Sequence, residues 1–136
     1  MNKNIVRHGF VLILLALVLG LFVQAMPIPR LGLSAHTIGI LSGALLIAIG
    51  AVWSLFVLSH RQLQVMYWSW LYSSYVNWLG CLVGAIAGAG KATPIASAGA
   101  VGPAAAEAAV GIMLVSVAVA SFIALGLSIF GLRPGT

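Results

Sequence analysis

Residues 10–23 read FVLILLALVLGLFV, an apolar run without a charged or polar side chain. A helix needs about 20 mostly apolar residues to cross the ~30 Å hydrocarbon layer of a membrane. The run approaches that length as 10–26, and three more apolar segments follow at 37–58, 65–88 and 104–131. The sequence therefore predicts an all-α fold, an integral membrane four-helix bundle with four transmembrane helices.

The composition of the chain agrees with a single transmembrane domain over residues 1–136. Of the 136 residues, 62% are hydrophobic and 5% are charged, which excludes an ordinary soluble protein. The net charge of +5 comes from six basic residues scattered among the span ends rather than from a cluster. Because no basic patch could follow a phosphate backbone, we expect membrane lipid and no nucleic acid among the partners.

The basic residues also predict the orientation of the chain. Four of them lie on one side of the predicted bundle and two on the other, and basic residues concentrate on the cytoplasmic side of membranes. We therefore expect a multi-pass protein of the inner (cytoplasmic) membrane with both termini in the cytoplasm. The four are Lys3, Arg7, Arg61 and Arg133, and the two are Arg30 and Lys91.

A histidine lies at the start of the second apolar segment, where residues 29–39 read PRLGLSAHTIG. Ser34 suits the N-cap of this helix, which places His36 in its first turn. At about 100° per residue, four small residues fall within roughly 60° of His36 on the helix surface. They predict a groove without side chains, in which a flat cofactor could lie beside the imidazole. The four residues are Gly39, Gly43, Gly50 and Ser54.

Aromatic and polar side chains also occur deep in the third apolar segment. Tyr72, Tyr75 and Trp78 lie beyond the depth at which interfacial aromatic residues are usual. Asn77 lies ~18 Å into the predicted helix at about 1.5 Å per residue. An amide inside a bilayer needs a partner, so both a functional role for Asn77 and an interhelical hydrogen bond remain open.

Glu107, the only acidic residue, falls in the first turns of the fourth segment. The helix dipole favours a negative charge there, and we expect Lys91 or Arg30 as its partner. Cys81 is the only cysteine, so no intrachain disulfide can form. Three dispersed histidines and a single glutamate argue against a zinc site.

Four motifs carry a family resemblance: His8-Gly9, PRLGLSAHTIG at 29–39, YSSYVNW at 72–78 and TPIA at 93–96. Together they resemble the hydroxylaminobenzene mutases, small four-span proteins of about this length that convert hydroxylaminobenzene to 2-aminophenol. The resemblance covers nearly the whole chain. More distantly, the chain is similar to styrene oxide isomerase, a membrane enzyme that isomerises an epoxide to an aldehyde.

The resemblance implies an isomerase acting on a small aromatic substrate, with haem b as cofactor and His36 as axial iron ligand. It also implies a homo-oligomer, a trimer with haem between neighbouring protomers. The chain departs from its relatives at Ser42, where they tend to have asparagine, and at Cys81, where the epoxide isomerase has tyrosine. From the resemblance together with the residue patterns above, we expect Asn77, Tyr75 and Ser42 for catalysis, His36, Gly39, Gly43 and Tyr72 for the cofactor, and His36 for the metal.

The implied reaction moves a hydroxyl group from nitrogen to the ortho carbon without net redox change, so it needs no external electron donor. Ferric haem with an open axial position could polarise the N–O bond as a Lewis acid, while Asn77 or Ser42 bonds the N-hydroxyl. Three alternatives remain: an epoxide isomerase, a non-catalytic haem-anchoring membrane subunit and a small four-span transporter. A haem spectrum excludes the transporter, and product analysis separates the mutase from the haem-anchoring subunit.

Overall fold

The structure, a computed structural model, describes residues 1–133, and the elements in this range are helical. The four long helices are α1 (Lys3–Gly20), α2 (Pro29–Ala51), α3 (His60–Ala87) and α5 (Ala104–Gly131). A single turn, α4 (Pro94–Ser97), precedes α5, and short 3-10 turns occupy Val23–Ala25 and Trp53–Leu55. The prediction of an all-α chain is confirmed.

Three of the long helices, α1, α2 and α5, are long and apolar enough to cross a membrane, judged by length and composition. α3 is as long as α5 but is not among them. Polar side chains continue into its second half, so its apolar stretch is interrupted. These are Ser69, Ser73, Ser74 and Asn77.

The first two helices begin earlier than the apolar runs indicate. The side chain of Asn2 accepts hydrogen bonds from the backbone N–H groups of Asn4 and Ile5, at 3.1 and 3.3 Å, so α1 starts at Lys3 rather than residue 10. α2 starts at Pro29, because proline needs no hydrogen-bond partner for nitrogen in a first turn. The predicted N-cap role of Ser34 is therefore wrong: its hydroxyl donates to the carbonyl of Arg30 at 3.1 Å, inside the helix.

The ends of α3 and α5 follow local sequence signals. Ser59 and Gln62 form a reciprocal capping box at the start of α3, which satisfies two backbone N–H groups. Gly88 ends the helix in the left-handed region with φ of 68°, a conformation that glycine adopts without steric cost. Pro103 immediately precedes α5 and is its N-cap residue.

The long helices pack in the order α1, α2, α3, α5, with α2 between α1 and α3 and with α3 between α2 and α5. Backbone hydrogen bonds join their ends. The N–H of Asn2 donates to Gly50 at 2.7 Å, and that of Val57 donates to Gly131 at 2.8 Å. We call this end, which holds both ends of the described chain, the terminal end. The opposite end holds two turns, the 3-10 turn between α1 and α2 and the single turn α4 between α3 and α5.

Candidate functional site

The imidazole of His36 is held by the first helix. Its Nδ1 atom lies 2.7 Å from the carbonyl oxygen of Ala16 in α1. Because a carbonyl oxygen only accepts, Nδ1 must carry the hydrogen, and Nε2 keeps its lone pair. Gly20 lies against the same ring: a Cβ atom there would be 2.7 Å from Nδ1 and 2.8 Å from Cε1. α1 therefore fixes both the tautomer and the orientation of this partly buried ring.

The indole ring of Trp78 in α3 packs against Gly39, which lies about one turn after His36 in α2. A Cβ atom on Gly39 would be 2.8 Å from Cδ1 and 3.1 Å from Nε1 of Trp78, and 2.6 Å from Cβ of Ala16. Nε1 of Trp78 is buried and has no hydrogen-bond partner among residues 1–133. Buried N–H groups seldom stay unpaired in proteins, so this donor is available to a ligand or water. We call His36, Ala16, Gly20, Gly39 and Trp78 the imidazole site.

The glycine groove on α2 is not open. A Cβ atom on Gly43 would be 2.5 Å from the Ile13 side chain and 2.6 Å from the Gly9 carbonyl oxygen. Gly50 is similarly close to Val6. Side chains of α1 therefore fill the groove that the sequence predicts at Gly43 and Gly50, and Ala16 and Trp78 lie against Gly39. The cofactor-binding roles of Gly39 and Gly43 stay predictions.

Tyr75 is hydrogen-bonded to His8 of α1 rather than to a residue of the imidazole site. Its hydroxyl lies 3.1 Å from Nδ1 of His8 and donates to the His8 carbonyl oxygen at 3.2 Å. The two rings meet edge to face, with centroids 5.7 Å apart. His8 precedes Ala16 by eight residues, or ~12 Å along α1. The structure thus separates Tyr75 from the imidazole site.

Tyr72 faces α5, where its hydroxyl lies 2.8 Å from Oγ of Ser116. It is 45% exposed and lines a cleft between α3 and α5 rather than the surroundings of His36. The predicted cofactor role of Tyr72 would therefore need a cofactor on this outer face of α3. The structure does not bring Tyr72 together with His36.

Asn77 and Ser42 are both half-buried. Asn77 is seven residues after Trp70, which donates to Ser128 of α5 at 3.1 Å, so the two share a side of α3. Ser42 is seven residues after Ala35, which packs in a buried cluster with residues of α1 and α3, so these two share a side of α2. The catalytic roles of Asn77 and Ser42 stay predictions.

A cleft with a volume of ≈ 570 Å³ opens at the end of the molecule away from the terminal end, and His36 is not among its lining residues. It joins the first turns of α2 to the single turn α4. It offers one guanidinium group and two hydroxyl groups among apolar side chains. The lining residues are Arg30, Leu33, Ser34, Thr37, Ile38, Ile95 and Ala96.

Glu107 fastens the segments on both sides of α4. One carboxylate oxygen accepts N–H bonds from Gly90 at 3.0 Å and Gly102 at 2.8 Å, and the other accepts from Lys91 at 3.0 Å. The sequence predicts the side chain of Lys91 or Arg30 as its partner. In the structure, the hydrogen bonds to this carboxylate come from backbone N–H groups instead. Three converging N–H groups give Glu107 a structural role that the sequence did not indicate.

The residues that can hold a metal are few. Over residues 1–133, no group of three or more histidine, cysteine, aspartate or glutamate side chains could bind a metal ion together. A metal held by one imidazole alone remains compatible with the chain, and the available lone pair on Nε2 of His36 is the candidate ligand.

Comparison with known proteins identifies the class. A family model described as styrene oxide isomerase matches residues 1–133. The chain therefore belongs to the styrene oxide isomerase family, and it is an isomerase-type protein with three candidate membrane spans.

Two proteins of Ectopseudomonas oleovorans are similar to the chain. Hydroxylaminobenzene mutase HabB is 33% identical over 132 residues, which is 96% of this chain and 80% of the relative. Hydroxylaminobenzene mutase HabA is 38% identical over 96 residues, covering 70% of this chain and 71% of the relative. These matches confirm the resemblance read from the motifs. No solved structure matches the chain.

Proposed function

We propose that the protein is a membrane-embedded isomerase that converts arylhydroxylamines, such as hydroxylaminobenzene, to 2-aminophenols with haem b held by His36. The two mutases at 33% and 38% identity support the substrate class. The main support for this cofactor is the hydrogen bond from Nδ1 of His36 to the carbonyl oxygen of Ala16, because it leaves Nε2 free to bind iron.

The donor set of the imidazole site fits a haem. Metal-binding histidines almost always donate their other ring N–H to a carboxylate, a backbone carbonyl or water, and His36 does so at 2.7 Å. The unpaired N–H of Trp78 also fits a site that receives a group with acceptor oxygen. When bound, ferric haem supplies a Lewis acid that polarises the N–O bond of the substrate.

The residues of the chain then have separate tasks. The reaction breaks the N–O bond and forms an ortho C–O bond, the ortho carbon loses a proton and the nitrogen gains one, so the product has the same atoms as the substrate. His36 holds the cofactor, and the indole N–H of Trp78 donates to the substrate oxygen while negative charge develops on it. Ala16 and Gly20 position the imidazole. Asn77 keeps its proposed role of orienting the substrate. We no longer propose Tyr75 as a catalytic residue, because its hydroxyl is hydrogen-bonded to His8.

The membrane arrangement is part of the proposal. All four long helices span the inner membrane, with the terminal end in the cytoplasm. α3 tolerates its polar residues because α2 and α5 cover two of its sides. An even number of crossings agrees with the hydrogen bonds that bring residues 2, 50, 57 and 131 to one end. The resemblance further supports a homo-oligomer, a trimer.

A second candidate is isomerisation of an epoxide to an aldehyde, which the matching family model favours. The deciding experiment supplies membranes containing the protein with hydroxylaminobenzene or styrene oxide and identifies the products. We expect 2-aminophenol from the first substrate, without its para isomer. Aldehyde from styrene oxide together with unchanged hydroxylaminobenzene would instead establish the epoxide reaction. Absence of both products would contradict the proposed function.

A further inference from the structure

We propose that a pocket beside His8, at the terminal end, binds the phosphate group of an anionic phospholipid from the adjoining membrane leaflet. The pocket lies between α1 and α3 and has a volume of ≈ 440 Å³. We call it the His8 pocket. Its lining residues are Asn4, Arg7, His8, Val11, Tyr67 and Tyr75.

Charge is the first argument. Arg7 brings a permanent positive charge to the pocket, and Lys3, Arg61 and Arg133 lie at the same end of the molecule. Glu107 is the only acidic residue of the chain, and it binds backbone N–H groups at the opposite end. No acidic side chain therefore neutralises the terminal end, so an anion from outside the chain would balance Arg7.

Hydrogen-bonding capacity is the second argument. The hydroxyl hydrogen of Tyr75 goes to the carbonyl oxygen of His8, so Nδ1 of His8 donates to the phenol oxygen. With Nδ1 as the donor, Nε2 of a neutral ring is an acceptor, so the donors for an anion come from the other lining residues. Arg7 and Asn4 add N–H donors and Tyr67 adds a hydroxyl, which suits a phosphate with several acceptor oxygens.

Depth is the third argument. Arg7 and His8 lie in the second turn of α1, within ~8 Å of its start along the helix axis. The continuous apolar run begins at residue 10. The headgroup layer of a membrane is about 5–8 Å thick on each side of the hydrocarbon. The pocket is therefore level with lipid phosphates, and basic pockets between helices at this level bind lipid headgroups.

The test uses the purified full-length protein in detergent, labelled with ¹⁵N in its histidine rings. Dioctanoyl phosphatidylglycerol is titrated while the ring signals of His8 and His60 are recorded. We expect saturable shifts at His8 but not at His60, which lies at the start of α3 outside the pocket. Shifts of equal size at both rings, or none at His8, would overturn the proposal. This measurement needs no substitution in the pocket.

Variants then test the charge. Arg7→Gln should weaken binding by on the order of fivefold or more, whereas Lys3→Gln should leave it within about twofold. Lys3 is a matched control because it lies one turn before Arg7 on α1 but does not line the pocket. Equal weakening by the two variants would mean that only the net charge of this end matters, which contradicts a specific site.

Two further ligands identify the source of the phosphate. Dioctanoyl phosphatidylcholine should bind more weakly, because its choline group offsets the phosphate charge. Inorganic phosphate alone should leave His8 unshifted, since it lacks the acyl chains that would pack along α1. Saturable binding of inorganic phosphate at millimolar concentration, in competition with the lipid, would overturn the assignment to a lipid.

Discussion

Nδ1 of His36 in α2 donates to the carbonyl oxygen of Ala16 in α1 across 2.7 Å. The two residues are 20 positions apart in the chain, so packing of α1 on α2 creates this contact. Orientation of the imidazole, and with it the direction of Nε2, therefore depends on close approach of the first two helices.

Removal of the imidazole should abolish haem binding. His36→Ala is expected to lose the Soret band of the purified protein, because it removes the proposed iron ligand. His60→Ala serves as the control, since His60 lies exposed at the first position of α3. An absorption spectrum of each purified variant is the measurement. A wild-type protein that is fully active without iron would contradict the cofactor proposal.

Gly20→Ala should weaken haem binding without removing the ligand. The added Cβ atom would lie 2.7 Å from Nδ1 of His36, so the ring must move away from Ala16. Loss of such supporting bonds typically costs about 10–100-fold in metal affinity or activity. Gly126→Ala is the matched control, because nothing lies within 4 Å of a Cβ atom there. Haem titration of both variants should separate them, and equal affinities would show that α1 does not position the ring.

Trp78→Phe should slow catalysis while leaving haem content unchanged. The substitution keeps most of the aromatic packing between the buried clusters but removes the unpaired N–H. Loss of a donor to developing charge typically lowers kcat by about 10²–10³-fold. Trp68→Phe is the comparison, because Trp68 is 66% exposed on the same helix. Similar product-formation rates in the two variants would remove Trp78 from the mechanism.

Asn77→Leu should retain haem and oligomer but lose catalysis, by about 10²–10³-fold if its amide bonds the substrate in the transition state. Leucine has a similar volume and lacks hydrogen-bonding groups. Asn77→Asp should keep partial activity because an acceptor oxygen survives. Size-exclusion chromatography and product assays on the same preparations provide the readouts. A disrupted assembly whose remaining folded protein has normal turnover would assign Asn77 to helix packing with α5.

Much of the helical fold is predictable from hydrophobic patterning. The last predicted span, 104–131, runs over the same residues as α5, because Pro103 marks its start and the apolar run is long. The starts of α1 and α2 were missed, since the capping side chain of Asn2 and the first-turn Pro29 lie outside the apolar runs. Apolar periodicity alone cannot place such starts.

The site was predictable only in part. His36 could be singled out because an ionisable group at the mouth of an apolar helix is unusual. Its glycine face indicated a close neighbour, but sequence alone could not decide between a cofactor and α1. The pairing of Tyr75 with His8 and the unpaired N–H of Trp78 result from contacts between residues far apart in the chain. Local sequence carries no signal for either.

The carboxylate of Glu107 gathers N–H groups from Gly90 and Gly102, the two bases of the turn that carries α4. The intervening chain therefore forms a loop whose two ends are held together by hydrogen bonds. Residues added at its tip should leave the packing of α3 on α5 unchanged. A peptide tag can be inserted beside Gly99, which is exposed, if the glycine itself is kept, because other residues rarely adopt its φ of 81°. A label placed there would report the membrane face of this loop while the helices stay as they are.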